Sequence, residues 1–144
     1  MMENNLISIL MESDPERLER KARRDIEIKR LSEVLGTPFV VTVKAIPGER
    51  YSELAGSMMD ENGNVDYTKG YTTNVMVAME GMVSPDIKNV DLQKHFGCRT
   101  PKDLMDKLFN GGEITKIADA VTDLSGYGKD TEKKVKNSST QTGK

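Results

Sequence analysis

The sequence predicts an α+β fold: a small antiparallel β-hairpin packed by about five helices, with a helical C-terminal half and a disordered C-terminal tail. Three observations lead there. Apolar residues alternate around Ile26–Ile28 and again from Phe39 to Ile46, the period of strands. From Tyr51 onward the apolar spacing lengthens to that of helices, with capping residues and Gly or Pro stops between segments. After Gly126 almost nothing apolar remains, so the tail cannot bury enough surface to offset its ordering entropy.

Taken in order, Leu6, Ile7, Ile9 and Leu10 suit a short amphipathic helix or a docking segment. Ser13-Asp14-Pro15-Glu16 is a helix start, combining a capping side chain, Pro at the first helical position and Glu three residues after Ser13. The helix it opens has only Leu18 and Ala22 as apolar residues and should be solvated and weakly docked. The strand at Ile26 and Ile28 then pairs with Phe39–Ile46 across a long connection broken at Gly36-Thr37-Pro38. In the second strand Phe39, Val41, Val43 and Ala45 share one face, and Val40, Thr42, Lys44 and Ile46 the other. A lone hairpin is marginal, so helices must cover its apolar face.

The first of those helices carries Tyr51, Leu54, Ala55, Met58 and Met59 after Pro47. Asn62-Gly63 marks a tight turn between short extended pieces. Thr72 or Thr73 caps a helix with Val75, Met76, Met79, Met82 and Val83, ended by Ser84-Pro85. Asn89 caps a short helix burying Leu92 and Phe96, which Gly97 stops. Thr100-Pro101-Lys102-Asp103 opens another, with Leu104, Met105, Leu108 and Phe109 inward. After Asn110-Gly111-Gly112 comes the cleanest stripe in the chain, Ile114, Ile117, Ala118, Val121 and Leu124, closed by Gly126. The organisation is a charged, helical N-terminal extension (1–24), one α+β domain (25–128) and a basic tail (129–144).

Composition narrows the function. Of 144 residues, 36% are hydrophobic, a modest share that leaves part of the chain outside any core. A single Cys excludes an internal disulfide framework or a CxxC site, and a single His excludes a multi-histidine metal centre. The net charge of −2 gives no general attraction to nucleic acid. It conceals an acidic stretch from Ile46 to Gly97 (eight acidic, four basic) and a tail from Gly126 holding five Lys against Asp130 and Glu132. No apolar run is long enough for a membrane span, and Met1–Met11 lacks the features of a signal peptide. The expectation is a cytosolic protein that is not an enzyme and needs no cofactor or metal.

Four features could carry chemistry or binding. Asp60-x-Asn62-x-Asn64-x-Asp66 begins like a calcium loop, but Val65 and Tyr71 stand where Gly and the bidentate Glu belong, so a turn is the better reading. His95 and Cys98 have no third group to orient them and read as a helix-end His and a small packed Cys. Arg20, Lys21, Arg23 and Arg24 are flanked by acids and read as a solvated face rather than a nucleic-acid contact. Methionine is the compositional oddity: Met58, Met59, Met76, Met79 and Met82 fall close together, and such side chains fill cores or adapt to varied apolar partners. The partner-binding candidates are therefore Met76, Met79 and Met82 with the stripe residues Ile114, Ile117 and Val121.

The second half resembles a known family. Ser84-Pro85 to Leu92-Gln93, His95-Phe96-Gly97-Cys98-Arg99-Thr100-Pro101, Leu104, Gly112-Glu113-Ile114 and Leu124-Ser125-Gly126-Tyr127 are similar, in order and spacing, to the XkdN-like tail assembly chaperones of phages and prophages. Ile26–Ser32, Pro38-Phe39 and Ala45 agree more loosely, so the resemblance spans about residues 25 to 128. It implies a non-catalytic protein of the host cytoplasm that binds the tape measure protein and other tail proteins and is absent from the mature virion. It also implies, in many members, a longer frameshifted form. A homo-oligomer is compatible with this. A structural tail component retained in the particle, or a small nucleic-acid-binding regulator, are the competing readings. Lys133-Lys134 is where an A-rich slippery run would sit, replacing Val135–Lys144 in the longer form. The gene is expected to show a slippery heptamer there with an overlapping downstream frame; its absence rejects the idea.

Overall fold

The computed structural model describes residues 2–20 and 22–127. Helix α1 (Met2–Glu12) ends where the Ser13 hydroxyl donates to the Leu10 carbonyl at 2.6 Å. Helix α2 (Pro15–Glu19) follows at once, with Pro15 at its first position. Its cap is Asp14, whose carboxylate accepts the Glu16 N–H at 3.0 Å, rather than Ser13. It is a single turn, shorter than expected, and buries nothing.

Strand β1 (Arg23–Glu27) pairs antiparallel with β2 (Val40–Lys44), in the register Ile26 opposite Val41 and Glu27 opposite Val40. Alternation works as the sequence predicts. Val41, Val43 and Ala45 turn inward, while Val40 stays exposed on the far face. Ile46 is the exception: assigned to the outer face, it lies beyond the end of β2 and is buried. The long connection is a helix, α3 (Lys29–Leu35), that the charged sequence did not announce. Ile28 precedes it and extends the ladder, its N–H reaching the Phe39 carbonyl at 2.9 Å. Gly36 closes α3 in the left-handed region at φ 72°, its N–H bonded to the Ser32 carbonyl.

The expected two-stranded hairpin is a three-stranded sheet of order β1-β2-β3. Strand β3 (Met82–Ser84) is made from residues expected to finish the preceding helix. That helix, α5 (Gly70–Gly81), starts earlier than a Thr72 or Thr73 cap would allow, and Thr73 is buried within it. Its last residue is Gly81, where no side chain fits. A Cβ at Gly81 would overlap the Val121 side chain and lie 2.8 Å from the Lys44 carbonyl oxygen. Met82 leaves the helix in extended conformation, and Met82 and Ser84 pair with Val43 and Thr42. The sheet keeps one wet face, with Arg23, Asp25 and Glu27 alternating there with Thr42 and Lys44.

The remaining helices begin where local chemistry dictates. α4 (Gly48–Gly56) follows Pro47 and buries Leu54 alone. Past it, Met59 and Val65 form an antiparallel bridge around the Asn62-Gly63 turn, with Gly63 at φ 83°. Asn89 caps α6 (Val90–His95), accepting the Leu92 N–H at 2.9 Å. Leu92 packs on the core as expected, but the buried residue of α6 is Gln93, not Phe96: its Nε2 donates to the Ile87 carbonyl at 2.8 Å, while Phe96 is exposed. Thr100 and Pro101 start α7 (Pro101–Leu108), and the Thr100 hydroxyl accepts the Asp103 N–H. Helix α8 (Gly111–Thr122) begins with the Glu113 carboxylate reaching back to the Asn110 N–H at 2.8 Å. It ends in one wide turn, Asp123–Tyr127, with Gly126 at φ 97°.

Helices α5 and α8 pack against each other and against the inner face of β2. Leu104, Met105, Ile114, Ile117, Val41, Val43, Val75 and Val121 are the largest fully buried side chains. Strand β1 begins two residues ahead of the expected domain boundary at 25, and the basic tail, 129–144, lies outside the described residues.

Gly81→Ala should lower stability by about 1–3 kcal/mol through overpacking. Shortening Val121 removes part of the overlap, so Gly81→Ala with Val121→Ala should cost less than the two single effects added. Urea denaturation of the four chains measures this, and strict additivity would reject the steric account.

Candidate partner-binding surface

Ile114, Ile117 and Val121 are 0% exposed. The stripe on α8 faces inward, so these three residues cannot be the surface a partner touches. The reason is the α5–α8 contact: an apolar stripe that meets another helix and a sheet is fully covered. Met76, Met79 and Met82 are half-buried, packed against the core with part of each side chain still in solvent. Met105, by contrast, is wholly internal.

The exposed apolar surface lies elsewhere. One group is Leu6, Ile7, Ile9, Leu10 and Met11 on α1, each more than half exposed. A second is Met59, Val65, Tyr67 and Tyr71, around the turn that leads into α5, with Tyr67 84% exposed. Val34 and Leu35 on α3 and Val40 on the outer face of β2 are also exposed. The first was visible as an apolar run. The second was not, because periodicity reports which residues share a face and not whether another element covers it.

The second group is held firmly. Met59 and Val65 bridge the hairpin, and the Asp66 N–H bonds to the Met58 carbonyl. The Asp66 carboxylate accepts the Thr68 hydroxyl and the Thr68 N–H, the latter at 3.0 Å, capping a short 3-10 turn (Tyr67–Lys69); these bonds, the hydroxyl first, hold the carboxyl below its usual range. The Tyr71 hydroxyl donates to Asp106 on α7, and Lys102 bonds the same carboxylate at 3.1 Å. The bond to Asp106, aided by burial, pushes the Tyr71 phenol up to about 12. Asp106, bonded to Tyr71, is paired with Lys102, and Lys69 lies close enough to Asp66 to help lower its carboxyl.

The other candidates resolve locally. Asp60 accepts the N–H groups of Asn62 and Asn64, each at 2.9 Å, which is the turn reading of that acidic loop. Among the described residues, no three His, Cys, Asp or Glu side chains gather where they could hold a metal ion, and no buried side-chain N or O lacks a partner. The His95 ring meets the Phe96 ring edge-on, and the Cys98 thiol, packed on the core, contacts the Phe96 carbonyl. The basic cluster divides. Arg20, Arg23 and Lys44 line a shallow cleft with Ala22, whereas Arg24 turns towards Asp123 at 3.8 Å. Among the described residues, no helix is long and apolar enough to cross a membrane.

Two clamps fasten the ends of α8 to the elements around it. Arg30 of α3 makes a two-pronged ion pair with Glu113, at 3.0 and 2.9 Å, and also donates to the Leu108 carbonyl at 2.8 Å. These bonds hold the Glu113 carboxyl below its ordinary range, against the opposing effect of burial. At the other end, the Ser125 hydroxyl accepts the Ile46 N–H at 3.0 Å and donates to the Val121 carbonyl, while Tyr127 stacks on Tyr51 at 4.2 Å. Glu113 and Ser125 belong to the two short motifs, Gly-Glu-Ile and Leu-Ser-Gly, that carried the sequence resemblance.

A carboxylate with a depressed folded-state pKa stabilises the fold above its unfolded pKa and loses that contribution as pH falls through the folded value. Glu113→Gln should therefore lower the unfolding midpoint at neutral pH. The gap to the wild type should narrow below about pH 4.3, the ordinary glutamate pKa. Thermal melts across that range test it, and a gap constant with pH would show that the charge on Glu113 is not what matters.

The fold is similar to the crystal structure of the protein YqbN, with a TM-score of 0.51 and 22% sequence identity, over 74% of this chain and 87% of that one. A search of curated proteins finds no match. Residues 7–138 match the phage XkdN-like tail assembly chaperone family, and since that is most of the sequence, the chain belongs to it.

Proposed function

We infer that this tail assembly chaperone binds the tape measure protein and keeps its apolar helical faces from aggregating while the tail is built. The observation that supports this most directly is the exposed apolar group Met59, Val65, Tyr67 and Tyr71, on and beside a hydrogen-bonded turn in a protein of this family. Exposed aromatic side chains on a fixed backbone bury much area at little entropic cost, which is how interface anchors work. The partly exposed Met76, Met79 and Met82 add adaptable contacts beside them. Ile114, Ile117 and Val121 act from inside, by holding α8 and α5 in place. The protein works in the host cytoplasm, leaves before the virion matures, and shares its body with a longer frameshifted form.

Co-expression with the tape measure protein tests the reading. The wild-type chain should keep that protein soluble and co-purify with it. Tyr67→Glu with Met59→Glu should cut recovery at least about tenfold, the effect of losing roughly 1.4 kcal/mol, without changing the circular dichroism spectrum. Ile117→Lys should instead unfold the domain. Tape measure protein that stays soluble alone, or full recovery with the double variant, would reject the proposal. Mass spectrometry of purified virions should find no stoichiometric copies; finding them would favour a structural tail component.

A further inference from the structure

An Asn-Gly pair is a latent chemical site. Glycine has no Cβ to shield its own amide nitrogen, so that nitrogen can reach the carbonyl carbon of the preceding asparagine side chain. The pair occurs twice in the sequence, at Asn62-Gly63 and Asn110-Gly111. The fold treats the two differently. Asn110 stands at the start of α8, where its N–H donates to the Glu113 carboxylate at 2.8 Å and its carbonyl accepts the Ile114 N–H at 3.0 Å. Glu113 is itself held by Arg30. Moving the peptide between Asn110 and Gly111 means breaking into α8 at an end fastened to the body.

Asn62-Gly63 is instead the tip of a hairpin. Both residues are exposed, and among the described residues nothing lies within 4 Å of where a Gly63 Cβ would stand. The tip is closed by local bonds. Asp60 accepts the N–H groups of Asn62 and Asn64 on one carboxylate oxygen, and its carbonyl accepts the Gly63 N–H at 3.0 Å. Beneath it is the isolated bridge between Met59 and Val65, both exposed. A tip with solvent-exposed hydrogen bonds and no buried side chain opens at far less than the cost of global unfolding. Each opening frees the Gly63 nitrogen.

We propose that Asn62 is a site of spontaneous deamidation, and that the conversion loosens the turn between Met59 and Val65. In the open turn hydroxide takes the Gly63 amide proton, and the nitrogen attacks Asn62 Cγ. A C–N bond forms, the Cγ–NH2 bond breaks, and the amino group takes a proton from water and leaves as ammonia. Water then opens the succinimide at either carbonyl, giving aspartate or isoaspartate. No electrons are gained or lost. Either product adds a carboxylate close to that of Asp60, and like charges repel. Isoaspartate also routes the main chain through the former side chain, one methylene longer, and hairpin geometry depends on loop length. Both changes strain the bonds that Asp60 makes across the tip.

The chemistry belongs to the turn, not to any partner, and is tested on the full-length chain alone. After incubation at mildly alkaline pH, peptide mapping by mass spectrometry should show the amide-to-carboxyl mass gain at Asn62, with isoaspartate confirmed by enzymatic methyl transfer. In the folded chain Asn62 should convert at least about tenfold faster than Asn110, the factor that roughly 1.4 kcal/mol of extra opening cost gives. In urea both should convert. Asn62→Gln, whose longer side chain closes the ring poorly, should remove the gain from that peptide. Amide hydrogen exchange at Asn64 and Asp66, whose N–H groups bond across the hairpin, should speed up in the converted protein. An Asn62 that stays intact, a smaller difference between the two sites, an Asn110 that resists conversion in urea, a gain that persists in Asn62→Gln, or unchanged exchange at Asn64 and Asp66 would each overturn the proposal.

Discussion

The close approach at Gly81 is the constraint from which the rest of the body follows. Val121 of α8 and the Lys44 carbonyl of β2 both press on the space where a side chain would be. That contact brings α5 down onto α8 and the sheet at once. The next three residues, β3, then complete the sheet beside that contact. The ion pair from Arg30 to Glu113 and the Ser125 hydroxyl then fasten the opposite ends of α8 to the elements around it.

Local signals were legible and non-local ones were not. Thr100-Pro101, Asn89 and Asn110 with Glu113 mark helix starts because their side chains satisfy backbone groups two or three residues away. Gly36 and Gly126 mark ends because only their own dihedral angles matter. The inward faces of β2 and α8 followed from period alone. What failed depends on distant neighbours. Nothing near Met82 in the sequence says that β2 waits beside it. Nothing near Lys29 says that Leu31 will be covered while Val34 and Leu35 are not.

The same distinction explains the binding candidates. A stripe such as Ile114, Ile117 and Val121 signals that a surface wants covering, and the domain itself supplies the cover. The methionines lie at the margin of that cover. Tyr67 and Val65 carry no periodic signal, yet they stand out in solvent because a tightly hydrogen-bonded turn lifts them there. The sheet adds contrast, since its uncovered face is polar apart from Val40 and its edge strand β1 is charged, a pattern that discourages edge-to-edge pairing. Apolar exposure is thus confined to a few places.

The C-terminal anchor has one further consequence. Among the described residues, the core cluster and its packed neighbours end at Leu124, and the wide turn is fastened by Ser125 and by Tyr127 on Tyr51. The Ser125 hydroxyl reaches the Ile46 N–H across 79 positions of sequence. Such a contact repays its loop-closure entropy only after most of the chain between its ends is in place, so the closing turn locks a body that is already largely assembled rather than seeding it.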